Sequence, residues 1–328
     1  MSKKYYDHLD EELSEDSLSI VSDSWGGPWT EEKLDTFEDY VKNVYLKIMN
    51  KNRDKYHWKL IYFDAFAGSG SRTKGNIIKT NNTLLSIFPP DLFSVDEADV
   101  YQGAAERVVK IEKSGIRGFD YYYFIDKDKE SLDMLQEKLS KYSTKGKLVF
   151  RPNDANVEIK RMAMAMVDNS HLKSLALLDP FGMQIDWSTI SRLSGLPLDL
   201  FILIPTGVII NRLLGKDGEI MYPEKLENYL GMSREEIESQ FYKKHHEKNL
   251  FGEDVDIVSK VKNPCRKIAE IYIRKLQGAF NYVTEEPLAL YNRKKVPIYH
   301  FVFASQNKTA CQVAQYIINK KRKHGVKN

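Results

Sequence analysis

The chain reads as an α/β protein built on a doubly wound, mostly parallel sheet. Three observations predict this. Apolar runs of strand length alternate with helix-period segments as far as residue 204. The carboxyl ends of four successive runs carry an aspartate, Asp64, Asp126, Asp154 and Asp179. The first run stops at Asp64-Ala-Phe-Ala-Gly-Ser-Gly70, where two glycines allow a sharp turn and a close approach of backbone to ligand.

The elements follow in order. Leu34, Phe37, Val41, Val44, Tyr45 and Ile48 fall at helical spacing. Thr30 is the expected N-cap, and Lys33 stands where a capping-box Glu would be. Residues 60–63 form the first strand. Residues 71–99 read as an inserted loop, followed by a helix over 103–113. Strands at 121–126, 148–150, 174–179 and 198–204 alternate with helices that open at Asp128 or Lys129, at Val157 and at Ile185. From residue 211 the texture changes. Residues 223–248 and 255–277 are charged and helix-like, with no strand expected between them. A hairpin over 282–291 and 296–303 returns, linked by a basic turn, and a helix over 309–318 precedes Lys320-Lys-Arg-Lys323. The expected organisation is a flexible acidic arm (1–24), a core (25–214), a helical insertion (215–278) and a closing hairpin and helix with a basic tail (279–328).

Composition bounds the function. Hydrophobic residues make up 42% and charged residues 29%, as in an ordinary globular protein. A net charge of +3 does not by itself argue for nucleic-acid binding, though it leaves room for a local basic patch. Cys265 and Cys311 form neither a metal-ligand spacing nor a disulfide framework. The start of the chain lacks an apolar signal core, and no apolar run reaches the length of a membrane span. A soluble, cytoplasmic protein without a metal or a membrane partner is expected.

The strand-end acids carry the chemistry. In an open α/β sheet these ends line one crevice. Each Asp can equally cap the helix that follows its strand. Asp126 stands where an acid can accept hydrogen bonds from both hydroxyls of a ribose, with Asp128 as the helix cap. In Asp179-Pro180-Phe181-Gly182 the proline fixes the backbone, so carboxylate and carbonyl can meet at one spot. That suits an amino group that must lose a proton, and Phe181 can stack on a flat acceptor. The plainer reading is a tight turn with a buried Phe. Met183 belongs in the core. His245-His246 are expected on a solvated helix face, and Cys265 in the core or a helix. Lys320 to Lys323 can contact phosphates or form a solvated tail.

Asp64-Ala-Phe-Ala-Gly-Ser-Gly70 after a buried strand resembles the first motif of class I methyltransferases that use S-adenosylmethionine (SAM). A wider set of segments resembles the three-Cys-motif partner (TcmP) family. It comprises Trp29 with its helix, Tyr62-Phe-Asp-Ala-Phe-Ala-Gly68, Gly103-Ala-Ala-Glu-Arg107, Phe124-Ile-Asp-Lys-Asp128, Asn153-Asp-Ala-Asn156, Leu178-Asp-Pro-Phe-Gly182, Ile204-Pro-Thr206 and Asn211-Arg212. The resemblance implies a Rossmann-like SAM-binding fold, bacterial and mobile-element or phage-related surroundings, and often a neighbouring radical-SAM protein. Carried onto this chain, it implies cofactor contacts at Asp64, Phe66, Ala67, Gly68, Gly70, Asp126 and Asp154. The resemblance leaves the substrate open; the residues themselves lead to the expectation of methyl transfer to a nucleic acid, with Asp179, Pro180 and Phe181 at the acceptor. Asp64 takes the SAM amino group, Asp126 the ribose and Asp154 the adenine amino group. The helical insertion supplies substrate contacts, and the Trp25–Trp29 hinge closes over the cofactor. The alternative is a non-catalytic SAM- or nucleotide-binding partner subunit. It draws on the fourth-strand motif, which has Phe181-Gly182 where amino-methyltransferases place a second proline and an aromatic. An NAD site fits less well. The third glycine of that fingerprint is missing, and the acid comes far later than about twenty residues on. No phosphate-loop signature occurs.

Overall fold

The computed structural model describes residues 28–70, 103–248, 254–292 and 295–325. The expected acidic arm, Trp25, the insert at 71–99 and the centre of the basic turn lie outside them.

Helix α1 (Pro28–Tyr40) passes through a π-helical turn (Val41–Tyr45) into α2 (Leu46–Asn52). Then follow β1 (Lys59–Asp64), α3 (Ala104–Lys110), β2 (Tyr121–Asp126), α4 (Lys129–Ser140), β3 (Lys147–Pro152) and α5 (Ala155–Asp168). Next come β4 (Leu172–Leu178), α6 (Trp187–Ile190), β5 (Leu198–Ile204) and α7 (Asn211–Leu213). The chain continues through α8 (Pro223–Leu230), α9 (Arg234–Phe241), β6 (Tyr242–Lys248), β7 (Asp254–Lys260) and α10 (Pro264–Ala279). It closes with β8 (Tyr282–Val283), β9 (Leu288–Tyr291), β10 (Pro297–Ser305) and α11 (Lys308–Gly325).

The central sheet runs β3-β2-β1-β4-β5-β10-β8, with β9 also on β10. Its first five strands are parallel and β10 is antiparallel to β5. This is a mixed α/β, Rossmann-like fold whose parallel run of strands closes on an antiparallel one. Strands β1, β4 and β5 are near-continuous apolar runs because helices cover both faces. Chain order reverses between β1 and β4, so the carboxyl ends of these two strands open the crevice.

Helix α1 packs its aromatic stripe on one face of the sheet. Phe37 meets Phe201 edge-on at 5.3 Å, and Tyr40 lies 4.8 Å from Phe303. The Tyr40 hydroxyl and the Ser305 hydroxyl both donate to the buried Asp199 carboxyl, each at 2.6 Å. Outside, Arg107 pairs with Asp35, Glu38 and Glu31 of α1, and Lys321 of α11 pairs with Asp35.

The structure corrects five expectations. The helix begins at Pro28, which suits the first turn because its missing N–H is not needed there. Thr30 is therefore inside the helix and is not its cap. The block 215–278 is not wholly helical, since β6 and β7 form an antiparallel ribbon between α9 and α10. Lys and Glu in β6 favour helix only mildly, and Val258 opposite Lys244 and Ile257 opposite His245 favour a strand ladder. His245 and His246 thus lie on a strand, with His245 Nε2 3.0 Å from the Ser259 hydroxyl. The last helix runs on to Gly325, which places Lys321 and Arg322 in ion pairs with Asp35 and Glu286 instead of in a free tail. The run 282–291 is split into β8 and β9, both paired to β10. The Thr284 hydroxyl at the break accepts from the Phe303 N–H. No helix among the described residues is long and apolar enough to cross a membrane.

The Gly70 carbonyl accepts the Gly103 N–H at 3.1 Å, so these two residues meet beside β1. Gly70 takes a φ of +68°, and a Cβ there would collide with the Leu135 side chain. Gly70→Ala is expected to lower stability by about 1–3 kcal/mol. A lower urea midpoint with an unchanged denaturant slope checks it.

Candidate functional site

Strand β1 delivers Asp64 to the crevice as a buried carboxyl. It accepts the Tyr62 hydroxyl at 2.9 Å and the Phe66 N–H at 3.3 Å. Burial, aided by the charges of Asp179 and Asp126, pushes its pKa up to about 7, against the pull of those two hydrogen bonds. The turn beyond it is stitched to both neighbours. The Ala65 N–H reaches the Leu177 carbonyl of β4, and the Ala67 N–H the Ile125 carbonyl of β2. Gly68 then takes a φ of +53°, and among the described residues nothing lies within 4 Å of where a Cβ would point. The backbone at Gly68 is thus open to a ligand, while its N–H donates to Asp126 Oδ2 at 3.0 Å.

Asp126 ends β2 and accepts the Asp128 N–H on its other oxygen at 2.9 Å. Burial raises its pKa, and these N–H donors oppose the shift. Asp128 in turn caps α4 by accepting the Glu130 N–H. Asp128 is the helix cap expected, and Asp126 faces the β1 turn.

Asp154 differs. Its carboxylate caps α5 by accepting the Asn156 and Val157 N–H groups, and it pairs with Lys127 at 2.6 Å. Burial pushes its pKa up, but Lys127 and the cap bonds bring it below the ordinary value. Helix capping, the plainer reading of a strand-end Asp, holds here.

Asp179 follows β4 and meets a group from α1, since Lys33 Nζ lies 2.5 Å from its Oδ2. The Lys33 side chain is 5% exposed and that of Asp179 24%. Lys33 also sits 5.6 Å from the Trp29 ring centroid, and Trp29 stacks on Tyr299 at 5.2 Å. Trp29 is buried at the start of α1. Pro180 is buried and Phe181 half-buried, with the Phe181 N–H donating to the Gln184 side chain at 2.9 Å. Further along the same edge, Thr206 Oγ1 lies 2.8 Å from His300 Nδ1. Burial holds that histidine down to about 4, so it is neutral near pH 7.

The fold therefore gathers Asp64, Asp126 and Asp179 with Phe66, Ala67 and Gly68 around one turn. Asp154 stands one strand further out with a structural task of its own, and Gly70 packs against α4. Sequence reasoning missed Lys33, Thr206 and His300. A signal for Lys33 was present, because it lies four residues from both Trp29 and Phe37 and so shares their buried stripe. Among the described residues no group of His, Cys, Asp and Glu is arranged for a metal ion.

No protein family matches the sequence, so the three-Cys-motif partner resemblance stands on the residues quoted above alone, and no curated protein matches either. Solved structures similar to this chain include a DUF519 protein from Legionella pneumophila and a SAM-dependent methyltransferase from Methanosarcina mazei. The first is 14% identical with a TM-score of 0.34, covering 83% of this chain and 98% of its own. The second is 13% identical with a TM-score of 0.33, covering 77% and 95%. Likeness at that distance does not bear on chemistry.

Two outcomes follow from the site. A buried pair is costly to break, because the surviving charge keeps its desolvation without its partner. In a double-mutant cycle of Lys33→Met and Asp179→Asn, urea unfolding should give a coupling of about 1–3 kcal/mol. The pKa of Asp64 lies above the ordinary carboxylate value of 3.8, so folding favours its protonated form. Its contribution is complete below about pH 4 and is lost as pH rises through about 7. From pH 4.5 to pH 8, the stability of Asp64→Asn relative to wild type should rise by about 1–4 kcal/mol.

Proposed function

We propose that the protein is a SAM-dependent methyltransferase acting on a nitrogen of a nucleic acid. The observation that carries this reading is the set of three carboxylates, Asp64, Asp126 and Asp179, around a left-handed Gly68 whose backbone is open. The site residues fit the cofactor by charge. SAM carries a sulfonium and an ammonium against one carboxylate, and the carboxylates outnumber Lys33. A dinucleotide would bring two further negative charges to the same place and fits poorly.

When bound, SAM supplies a methyl group on a sulfonium, an electrophile that needs only an aligned nucleophile. The chain's residues do the rest by position. Gly68 lets the methionine end approach the backbone. Asp126, already fixed by two N–H donors, offers its remaining lone pairs to the ribose hydroxyls. Asp64 faces the amino group and gives up its proton to do so. Asp179 orients the acceptor nitrogen and takes the proton that nitrogen loses. Half-buried Phe181 offers a ring edge or face to a flat base, which supports a nucleic-acid acceptor.

One observation favours a second reading. Lys33 already neutralises Asp179, as a retired catalytic position would allow. Under that reading the chain binds SAM as a partner subunit without transferring the methyl, and the three-Cys-motif partner resemblance belongs with it.

Calorimetric titration with SAM and S-adenosylhomocysteine tests the common part. Micromolar binding is expected, lost in Gly68→Val and weakened at least about tenfold in Asp126→Ala, where a charge-assisted bond to the ribose goes. At pH 7.5 to 8, binding should be nearly free of proton exchange. At pH 6 it should release a proton from Asp64, seen as a dependence of the heat on buffer ionisation enthalpy. Labelled SAM with RNA and DNA then separates the readings. Transfer abolished by Asp179→Ala with SAM affinity intact supports the enzyme, and SAM binding by a wild type that transfers nothing supports the partner subunit.

A further inference from the structure

The outer edge of the sheet carries a surface that the crevice does not use. An open groove of about 380 Å³ runs along β3, lined by Tyr121 and Tyr123 of β2, Lys147, Val149 and Arg151 of β3, and neighbouring residues that include no acid. The register pairs Tyr121 with Lys147, Tyr123 with Val149, and Ile125 with Arg151. Side chains directly opposite in a sheet share a face, so two tyrosines lie on one face with a cation at either end. Both tyrosines are only partly covered. Their ring centroids are 6.4 Å apart.

The surrounding sequence is basic as well. From residue 138 to residue 151 the chain has Lys138, Lys141, Lys145, Lys147 and Arg151 and no acidic residue. Lys138 and Lys141 are taken up by Glu106. Among the described residues, Lys147 and Arg151 make no ion pair, and both are exposed.

We infer that this face binds single-stranded nucleic acid, with Tyr121 and Tyr123 as stacking platforms and Lys147 and Arg151 as phosphate contacts. Flat rings on a sheet between free cations suit bases and phosphates together. A separation of 6.4 Å between ring centres suits two splayed nucleotides. Bases in a duplex repeat at about 3.4 Å along each strand and present only their edges. A plainer role exists for the same cations, since charges on an edge strand discourage pairing with another chain. That role asks nothing of the tyrosines. The inference deepens the nucleic-acid part of the proposed function, yet the groove's binding does not require SAM.

Fluorescence anisotropy with a labelled dT12 or U12 oligonucleotide tests it, using the full chain. The Tyr121→Leu/Tyr123→Leu variant keeps apolar bulk and removes the π faces, and circular dichroism and a thermal melt check its folding. Weakening of at least about tenfold is expected from losing two stacks. Lys147→Gln/Arg151→Gln should reduce the slope of log affinity against log salt by about 1.4. A duplex of the same length should bind more weakly. Absence of binding at low salt would overturn the inference, as would binding unchanged by both variants or equal affinity for the duplex. Oligonucleotide affinity should be the same without cofactor and with saturating S-adenosylhomocysteine, so failure of the SAM reading and failure of the groove give different results.

Discussion

The hydrogen bond from the Gly68 amide to the Asp126 carboxylate joins the ends of β1 and β2, and much of the site is built outward from it. Asp126 cannot easily stay charged in its half-buried position without donors. Gly68 and Asp128 provide one to each oxygen, which also fixes the side-chain rotamer. The first donor holds the turn after β1 in a left-handed conformation that exposes its backbone. The second sets the residue that caps α4. Helix α4 then brings Leu135 under Gly70 and Lys138 onto the Gly70 carbonyl. One carboxylate thereby links the crevice floor to the helix that supports it.

Electrostatics make this arrangement unsatisfied by itself. Asp64, Asp126 and Asp179 interact closely enough for the latter two to raise the pKa of the first. Like charges in a water-poor site oppose ionisation. Lys33 offsets one of them and does so from another element, α1, so that helix is held over the sheet by charge as well as by its aromatic stripe. A ligand bearing positive charge relieves the remainder, and its affinity draws on a repulsion present before it arrives. The same repulsion penalises an anionic ligand at the same spot. Selectivity by charge therefore arises from the sheet order itself, because it places β2, β1 and β4 side by side.

Much of the fold was legible because buried parallel strands are long apolar runs, and β2 and β5 match the expected spans 121–126 and 198–204. The crevice acids were legible through their place after those runs. Asp154 shows where that logic stops. A capping Asp and a ligand-binding Asp present the same residue at the same place, and the sequence does not show that Asp154 takes up the N–H groups of Asn156 and Val157. Lys33 was hidden for another reason. A lysine on an apolar stripe can extend its charge to solvent, and the sequence does not say that Asp179, 146 residues away, will meet it. In the ribbon of β6 and β7, pairing between distant segments overrode local preference, which a window of sequence cannot register.

The position of Lys33 sharpens what an acceptor must do. Asp179 is within reach of a substrate only along the part of its carboxylate that Lys33 leaves uncovered, and Lys33 itself is tethered by packing near Trp29, which Tyr299 backs. An ammonium acceptor would compete with Lys33 for the same charge and gain little. A neutral nitrogen, such as the exocyclic amine of a base, need not displace it. It can donate one hydrogen bond to the other carboxylate oxygen while Lys33 stays on Oδ2. On the proposed reading the ion pair would act as a filter that favours weakly basic, planar amines over alkylamines, and a flat ring at Phe181 would work in the same direction. On this argument the pair is compatible with catalysis on a base, and its cost to the chemistry falls mainly on cationic acceptors.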